Sequence, residues 1–325
     1  MKIALVGGAG FIGSHLCRAL LARGHDLCVV DSLMVNNVHA KLDLTDRQRL
    51  ILAKRRAVLA NTRFVQADAR DYEIMSEVLG SFAPEVVVHL AAVAHQDRAQ
   101  RSPHTTWGHS LRTLENALDI AGHLQARRFV YFSSSTVYGE WPASGTVRED
   151  SVCLPIHVYG SLKLAGEYAA RSICNAHGIE HVVIRPSALY GPGCISGRVI
   201  QRFIENAIDG QPLHIRADDW LDFTHVNDLV HGVTLAIEKK EAANRTYNLT
   251  RGVARSIREA AEIVNRHVPT DIHALNTLDG FPKRGALDVS RATAELGYSP
   301  QYDIERGIAD YIEWYRALSP SLQPA

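Results

Sequence analysis

The 325-residue sequence has no excess of charge in either sense: Lys and Arg together number 35, Asp and Glu 35, so the net charge is zero. A chain so balanced projects no whole-molecule field, which excludes binding of nucleic acid or an anionic membrane by bulk charge. Long apolar runs are also missing, and nothing approaches the ~20 residues that a membrane-spanning helix needs. The apolar opening at 3–6 stops at glycines and is too short for the apolar part of a signal peptide, so the expected compartment is the cytosol. Cysteine numbers only five (Cys17, Cys28, Cys153, Cys174, Cys194), an odd count without C-x-x-C or zinc-finger spacing, which speaks against a disulfide framework and for reduced, mostly buried thiols. Histidine is plentiful at 16, yet no H-E-x-x-H or comparable spacing occurs, so no metal is expected. What remains, with 46% hydrophobic and 22% charged residues, has the balance of an ordinary globular protein large enough for one or two domains.

Short β-branched runs alternate with longer helical stretches as far as about residue 133. Segments 3–6, 27–30, 63–65, 86–89 and 129–132 read as buried parallel strands, because a strand covered on both faces is apolar throughout. Segments 11–23, 42–59, 72–80 and 107–125 read as helices. This repetition predicts an α/β fold, a doubly wound parallel sheet of the Rossmann kind with right-handed crossovers. A helix at 158–177 and a strand at 181–185 continue it; after Gly191-Pro192-Gly193 the regularity ends. Helices at 199–208, 226–238, 257–267 and 304–316 then alternate with short strands at 213–215 and 246–249. The expected division is a cofactor-binding domain over 1–191 that carries the catalytic groups and a smaller α/β substrate lobe over 192–325, with the chain crossing back to the first; 319–325 reads as a loose tail.

Gly7-Gly8-Ala9-Gly10-Phe11-Ile12-Gly13 follows the first predicted strand and opens the first predicted helix. Such a glycine pattern is weak alone and gains meaning from that position. Gly7 permits a tight turn, Gly10 lets backbone approach a pyrophosphate at the positive end of the helix, and Gly13 allows close packing of helix on strand. Asp31 ends the second strand, 18 residues after Gly13, where a carboxylate accepts from both ribose hydroxyls and repels a 2′-phosphate, so NAD is expected rather than NADP. Asp68 and Ala69, after the third strand, are placed to meet the adenine, and Leu90-Ala91-Ala92, after the fourth, offers small residues along the cofactor.

Tyr159 and Lys163 lie four residues apart in a predicted helix, so a phenol and an ammonium share one face. A free tyrosine titrates near ~10, and an adjacent cation favours the phenolate. On an arbitrary solvated helix such a pair carries no chemistry; beside a dinucleotide site it can move a proton.

Taken together these residues resemble the extended short-chain dehydrogenases/reductases, in their nucleotide-sugar epimerase/dehydratase branch. The matching segments are GGAGFIGSH (7–15), Asp31, ADARD (67–71), VVHLAA (87–92), FSSSTVYG (132–139), YGSLK (159–163), RPSALYGPG (185–193), GQPL (210–213), DFTHVNDL (222–229) and LDVSRATAELGYSP (287–300), in the family's order over almost the whole chain. The resemblance implies that Tyr159 is the acid/base, that Lys163 lowers its pKa and binds the nicotinamide ribose, and that a serine orients the sugar 4-hydroxyl. Four residues back from Tyr138 selects Ser134, with Ser135 and Ser133 as alternatives. It implies further that Pro186 and Ser187 lie near the nicotinamide, that Ser134, Ser135 and Tyr159 touch the sugar, and that Arg198, Arg216 and Arg284 are candidates for the diphosphate. Family members usually form homodimers through a four-helix bundle, here from helices 107–125 and 158–177.

In this resemblance all branches begin by oxidation at C4 to a 4-keto sugar. Dehydratases carry Asp-Glu before V-Y-G and decarboxylases a Glu; here Ser135 and Thr136 stand there. Return of the hydride to the other face is therefore expected, an NAD-dependent epimerase like the UDP-galactose 4-epimerase type, with a 4-ketoreductase or 4,6-dehydratase as the enzymatic rival. The family's patterns are broken at Ala188, Leu221, His109, the 283–286 stretch and the 93–103 loop, which leaves the sugar open. A non-catalytic NAD-binding scaffold or sensor is the reading of another class; it could lose Tyr159, Lys163 and Ser134 without consequence, and all three are present.

Overall fold

The computed structural model describes residues 1–34, 44–93, 96–142, 144–215, 220–274 and 284–318. Its strands are β1 (Lys2–Val6), β2 (Asp26–Asp31), β3 (Arg63–Gln66), β4 (Val86–His89), β5 (Arg128–Phe132), β6 (Thr146–Val147), β7 (Glu180–Arg185), β8 (Ala188–Tyr190), β9 (Leu213–Ile215), β10 (Trp220–His225), β11 (Arg245–Asn248), β12 (Ala254–Ser256), β13 (Ile272–Ala274) and β14 (Ala286–Leu287). Its helices are α1 (Phe11–Ala22), α2 (Asp46–Leu59), α3 (Tyr72–Phe82), α4 (Gln96–Arg101), α5 (Pro103–Trp107), α6 (Thr113–His123), α7 (Val158–His177), α8 (Val199–Ile208), α9 (Val226–Glu238), α10 (Ile257–His267), α11 (Ser290–Leu296) and α12 (Ile304–Leu318).

Seven strands pair in parallel in the order β11-β7-β5-β4-β1-β2-β3. The order reverses beside β1, and that is where an open α/β sheet leaves a crevice at its carboxyl edge. Side chains alternate between two cores. Ile3, Leu5, Val29, Val88, Val130 and Ile184 meet Leu16 and Leu20 of α1 and Leu229 and Val233 of α9. Ala4, Val6, Val30, Val87, Phe129 and Val183 meet Met75 of α3, Leu118 of α6 and Cys174 of α7. Both faces are covered, which accounts for the continuous apolar runs.

Beyond residue 191 the chain visits the sheet again. α9 packs in the first core, and β11 adds the edge strand beside β7. The other segments build a separate cluster in which Phe203, Ile204, Phe223, Ile263, Val264 and Tyr311 pack together with Ile51 of α2. Three small sheets, β12-β10-β8, β13-β9 and β14-β6, complete the described strands. The segment 107–125, expected as one helix, is instead α5, a π turn over Gly108–Arg112, and α6. The π turn inserts a residue between the two helices, and His109 within it and Thr113 just after it line the crevice.

Candidate active site

β1 runs into Gly7, whose φ is +84°, and a Cβ there would stand 2.5 Å from the backbone nitrogen of Ala91. Only glycine fits where two loops approach so closely. α1 starts at Gly10 without a capping side chain, and a Cβ on Gly10 would meet nothing nearer than the Gly7 carbonyl at 3.7 Å. The groove above the helix N-terminus is thus clear, with backbone N–H groups turned toward it. Asp31 locks the turn: its carboxylate accepts from Ala9 N at 2.9 Å and from Leu33 N at 2.7 Å, while burial raises its pKa.

A cavity runs from this turn along the strand ends. Gly7, Gly10, Phe11, Ile12, Gly13, Asp31, Asp68, Ala69, Leu90, Ala91 and Ala92 line it, as does Arg198. Arg70 takes both carboxylate oxygens of Asp68 and lowers its pKa. Residues that sequence reasoning missed also form the wall: Leu52, Arg55, Arg56 and Leu59 from α2, Thr113 at the start of α6, and Ser196; His109 of the π turn, noted in the sequence as a departure from the family's pattern, lines it too. Arg55 is buried and donates to Gly193 O at 3.0 Å, joining α2 to the 191–193 loop. α2 carries no motif that could have announced this.

Tyr159, Lys163, Pro186 and Ser187 lie outside that wall, in a second cluster where β5 and β7 end and α7 begins. His89 links the two groups. It is bonded to Thr113 Oγ1 at 3.2 Å, and the charge of Lys163 helps push its pKa down to about 3, after burial. Lys163 is buried, its Nζ donates to Phe132 O at 2.6 Å and lies 5.9 Å from the Tyr159 ring centroid. Burial lowers its pKa to about 8, and the charge of Glu167 partly restores it.

Tyr159 departs from the simple expectation of a lowered phenol. Burial wins and raises its pKa; Arg198, hydrogen bonding with Ser134, and Arg284 pull it down, in that order. The lysine is turned toward a carbonyl, and two arginines flank the phenol instead. The three serines part company here. Ser134 faces Tyr159 and caps the turn at 135–138 by accepting from Thr136 N at 3.2 Å. Ser133 donates to Glu167 Oε1 at 2.5 Å. Ser135 N donates to Pro186 O at 2.8 Å, and its hydroxyl lies 3.5 Å from that of Ser187.

A sequence model described as the NAD dependent epimerase/dehydratase family matches residues 3–250. The chain belongs to that family. A dTDP-glucose 4,6-dehydratase from Actinoplanes is 30% identical over 98% of each chain, and an uncharacterized UDP-glucose epimerase from Bacillus subtilis is 27% identical over 98% of this chain and 99% of its own. Among solved structures, UDP-glucuronic acid 4-epimerase from Bacillus cereus, with UDP-glucuronic acid and NAD, is 26% identical and superposes with a TM-score of 0.87 over 98% of this chain and all of the other. UDP-glucose 4-epimerase from Thermotoga maritima is 25% identical with a TM-score of 0.86, covering 99% of this chain and all of the other.

The cofactor of this epimerase/dehydratase family member is therefore NAD. The glycine groove, the uncapped helix N-terminus and the Asp31 carboxylate have the donor and acceptor set to hold its pyrophosphate and ribose. On the substrate side, the Nε atoms of Arg198 and Arg284 are buried with no hydrogen-bond partner among the described residues, an arrangement suited to an anion. Arg216 and the side chains of Gln96, Asp97 and Arg98, with His95, lie outside the described residues. No group of three metal-ligating side chains occurs among the described residues.

Proposed function

We propose that this protein is an NAD-dependent 4-epimerase of a nucleotide-diphosphate sugar. The observation that carries the reading is the pairing of a half-buried Tyr159, with Ser134 hydrogen-bonded to it and Lys163 5.9 Å from its ring, with an absence of acid just before Val137-Tyr138-Gly139. Ser135 and Thr136 stand there; the hydroxyl of Ser135 faces Ser187, and that of Thr136 is buried without a partner among the described residues. A side chain that cannot donate or remove a second proton gives no help to elimination at C5 and C6. Bound NAD supplies the hydride acceptor for C4. Tyr159 takes the 4-hydroxyl proton, Ser134 orients that hydroxyl, and Lys163 holds positive charge beside the phenolate. Arg198 and Arg284 bind the anionic diphosphate; once the keto sugar has turned its other face, C4 takes the hydride back and Tyr159 returns the proton to the 4-oxygen.

The dehydratase reading retains the support of relatives named dTDP-glucose 4,6-dehydratase, 26–30% identical. NAD-loaded protein should be incubated with UDP-glucose, UDP-glucuronic acid and dTDP-glucose in turn, and the sugar configuration read by NMR. Inversion at C4 with no net NADH is expected for a UDP-sugar, and Tyr159→Phe should slow it by about a thousandfold. A 4-keto-6-deoxy product would replace this reading by the dehydratase one, and turnover unchanged in Tyr159→Phe would remove the phenol from the chemistry.

A further inference from the structure

Glu167 is the acid most closely woven into the reacting groups. Fully buried, at 0% exposure, it lies one turn beyond Lys163 on the face of α7 that presents Tyr159. Its Oε1 accepts from Ser133 Oγ at 2.5 Å and Arg185 Nε at 2.8 Å; its Oε2 accepts from Arg185 Nη2 at 2.6 Å and Arg171 Nη2 at 3.3 Å. Ser133 directly precedes Ser134, and Arg185 directly precedes Pro186 and Ser187. Lys163 meanwhile donates to the carbonyl of Phe132, the residue before Ser133. One carboxylate thus joins the ends of β5 and β7 to α7. Stability is a weak reason for burying such a pair, since apolar packing of equal volume serves as well or better. Alignment is the stronger reason.

We propose that Glu167 is a positioning residue: it locks the strand end that carries Ser134 to the helix face that carries Tyr159, and supplies the negative charge that keeps Lys163 an ammonium. This rests on the catalytic roles given above to Tyr159, Lys163 and Ser134. The titratable groups around Lys163 agree with it. His89 from β4 is neutral, held down to about 3, and Tyr131 from β5 is pushed well above its ordinary value, so neither offers a counter-charge. On α7 itself Tyr159 is raised, which leaves Glu167, paired with Arg185 and Arg171, as the anion whose charge raises Lys163 among the described residues.

The test reads the lysine itself. NAD-loaded protein without sugar, labelled at lysine Cε, is titrated by NMR, and the Lys163 resonance is identified by its loss in Lys163→Met. In Glu167→Gln the Lys163 midpoint is expected to fall by about one unit relative to the unsubstituted protein, and in Glu167→Asp, which keeps the charge, to stay. Should Glu167→Gln not fold with Arg185 unpaired, Glu167→Gln/Arg185→Met removes both buried charges and is expected to show the same fall. A merely structural Glu167 would lower the melting temperature and leave the midpoint in place, and that result overturns the proposal. Failure of every UDP-sugar to invert at C4 would sink the epimerase reading while leaving this titration unaffected, so the two fail separately.

Discussion

Three consecutive serines show how finely a strand end divides labour. Ser134 acts on the Tyr159 hydroxyl, whereas Ser133 is committed to Glu167 and Ser135 to the end of β7. Ser134→Ala is therefore expected to lower C4 turnover by about a hundredfold with little change in stability. Ser133→Ala leaves an oxygen of a buried carboxylate with one partner fewer and should cost about 1–3 kcal/mol. Urea unfolding beside initial rates separates the two, and the assignment fails if the penalties are exchanged. The sequence could not rank these serines by physics, because all three sit at one strand end and only the neighbours reached by the tertiary fold distinguish them.

Helix α7 is the element on which the site turns. Tyr159, Lys163 and Glu167 recur every four residues along it; the spacing of the first two was plain in the sequence. Less plain was the reason for Gly160. A Cβ there would lie 2.7 Å from Thr136 O and 3.0 Å from Pro155 Cβ, so the turn at 135–138 lies almost against the helix backbone. Glycine to alanine inside a helix ordinarily stabilises by about 1 kcal/mol. At this position Gly160→Ala should reverse the sign, costing about 1–3 kcal/mol, and should slow turnover by displacing Ser134 from Tyr159. A melting temperature equal to or above that of the parent protein would show that the approach has slack. The π turn between α5 and α6 was illegible by contrast, because the apolar pattern of 107–125 permits a continuous helix.

For the whole molecule, buried histidines set an acid limit. Burial is the leading cause that pushes His89 and His225 down to about 3 and His15 to about 4. The sign follows from linkage. Below pH 6.5 the unfolded chain takes up protons that these sites refuse, so stability present above that pH is lost as the pH falls toward 4. The loss amounts to roughly 2 kcal/mol for each histidine by pH 5. Asp222, raised to about 6 mainly by burial, works in the opposite sense, its folded form binding the proton first. It returns only about 1 kcal/mol at the same pH, so the histidines prevail. Urea midpoints at pH 7, 6 and 5 should fall in that order, and a flat series would contradict the burial of neutral imidazoles. At the same scale we propose a homodimer through the faces of α6 and α7, beside which Trp107 and Tyr168 are each 60% exposed. Sedimentation at micromolar concentration should give about twice the monomer mass, and Tyr168→Glu should restore the monomer.

Much of this protein was determined by its sequence alone, because the signals are local. A buried parallel strand is a short apolar run, a phosphate turn needs glycines at fixed steps beside a strand, and a helix face repeats every four residues. These gave the main sheet, the Gly7 to Gly13 turn with Asp31, and the Tyr159–Lys163 face. What only the tertiary structure decided depends on segments distant in the chain. The place of β11 beside β7, Arg55 reaching Gly193, and the two arginines that lower the Tyr159 pKa are such cases. So is Glu167, which reads as one more helical acid until the fold brings Ser133 and Arg185 against it. Desolvation and pairing arise from what surrounds a group in space, and no spacing along the chain encodes them.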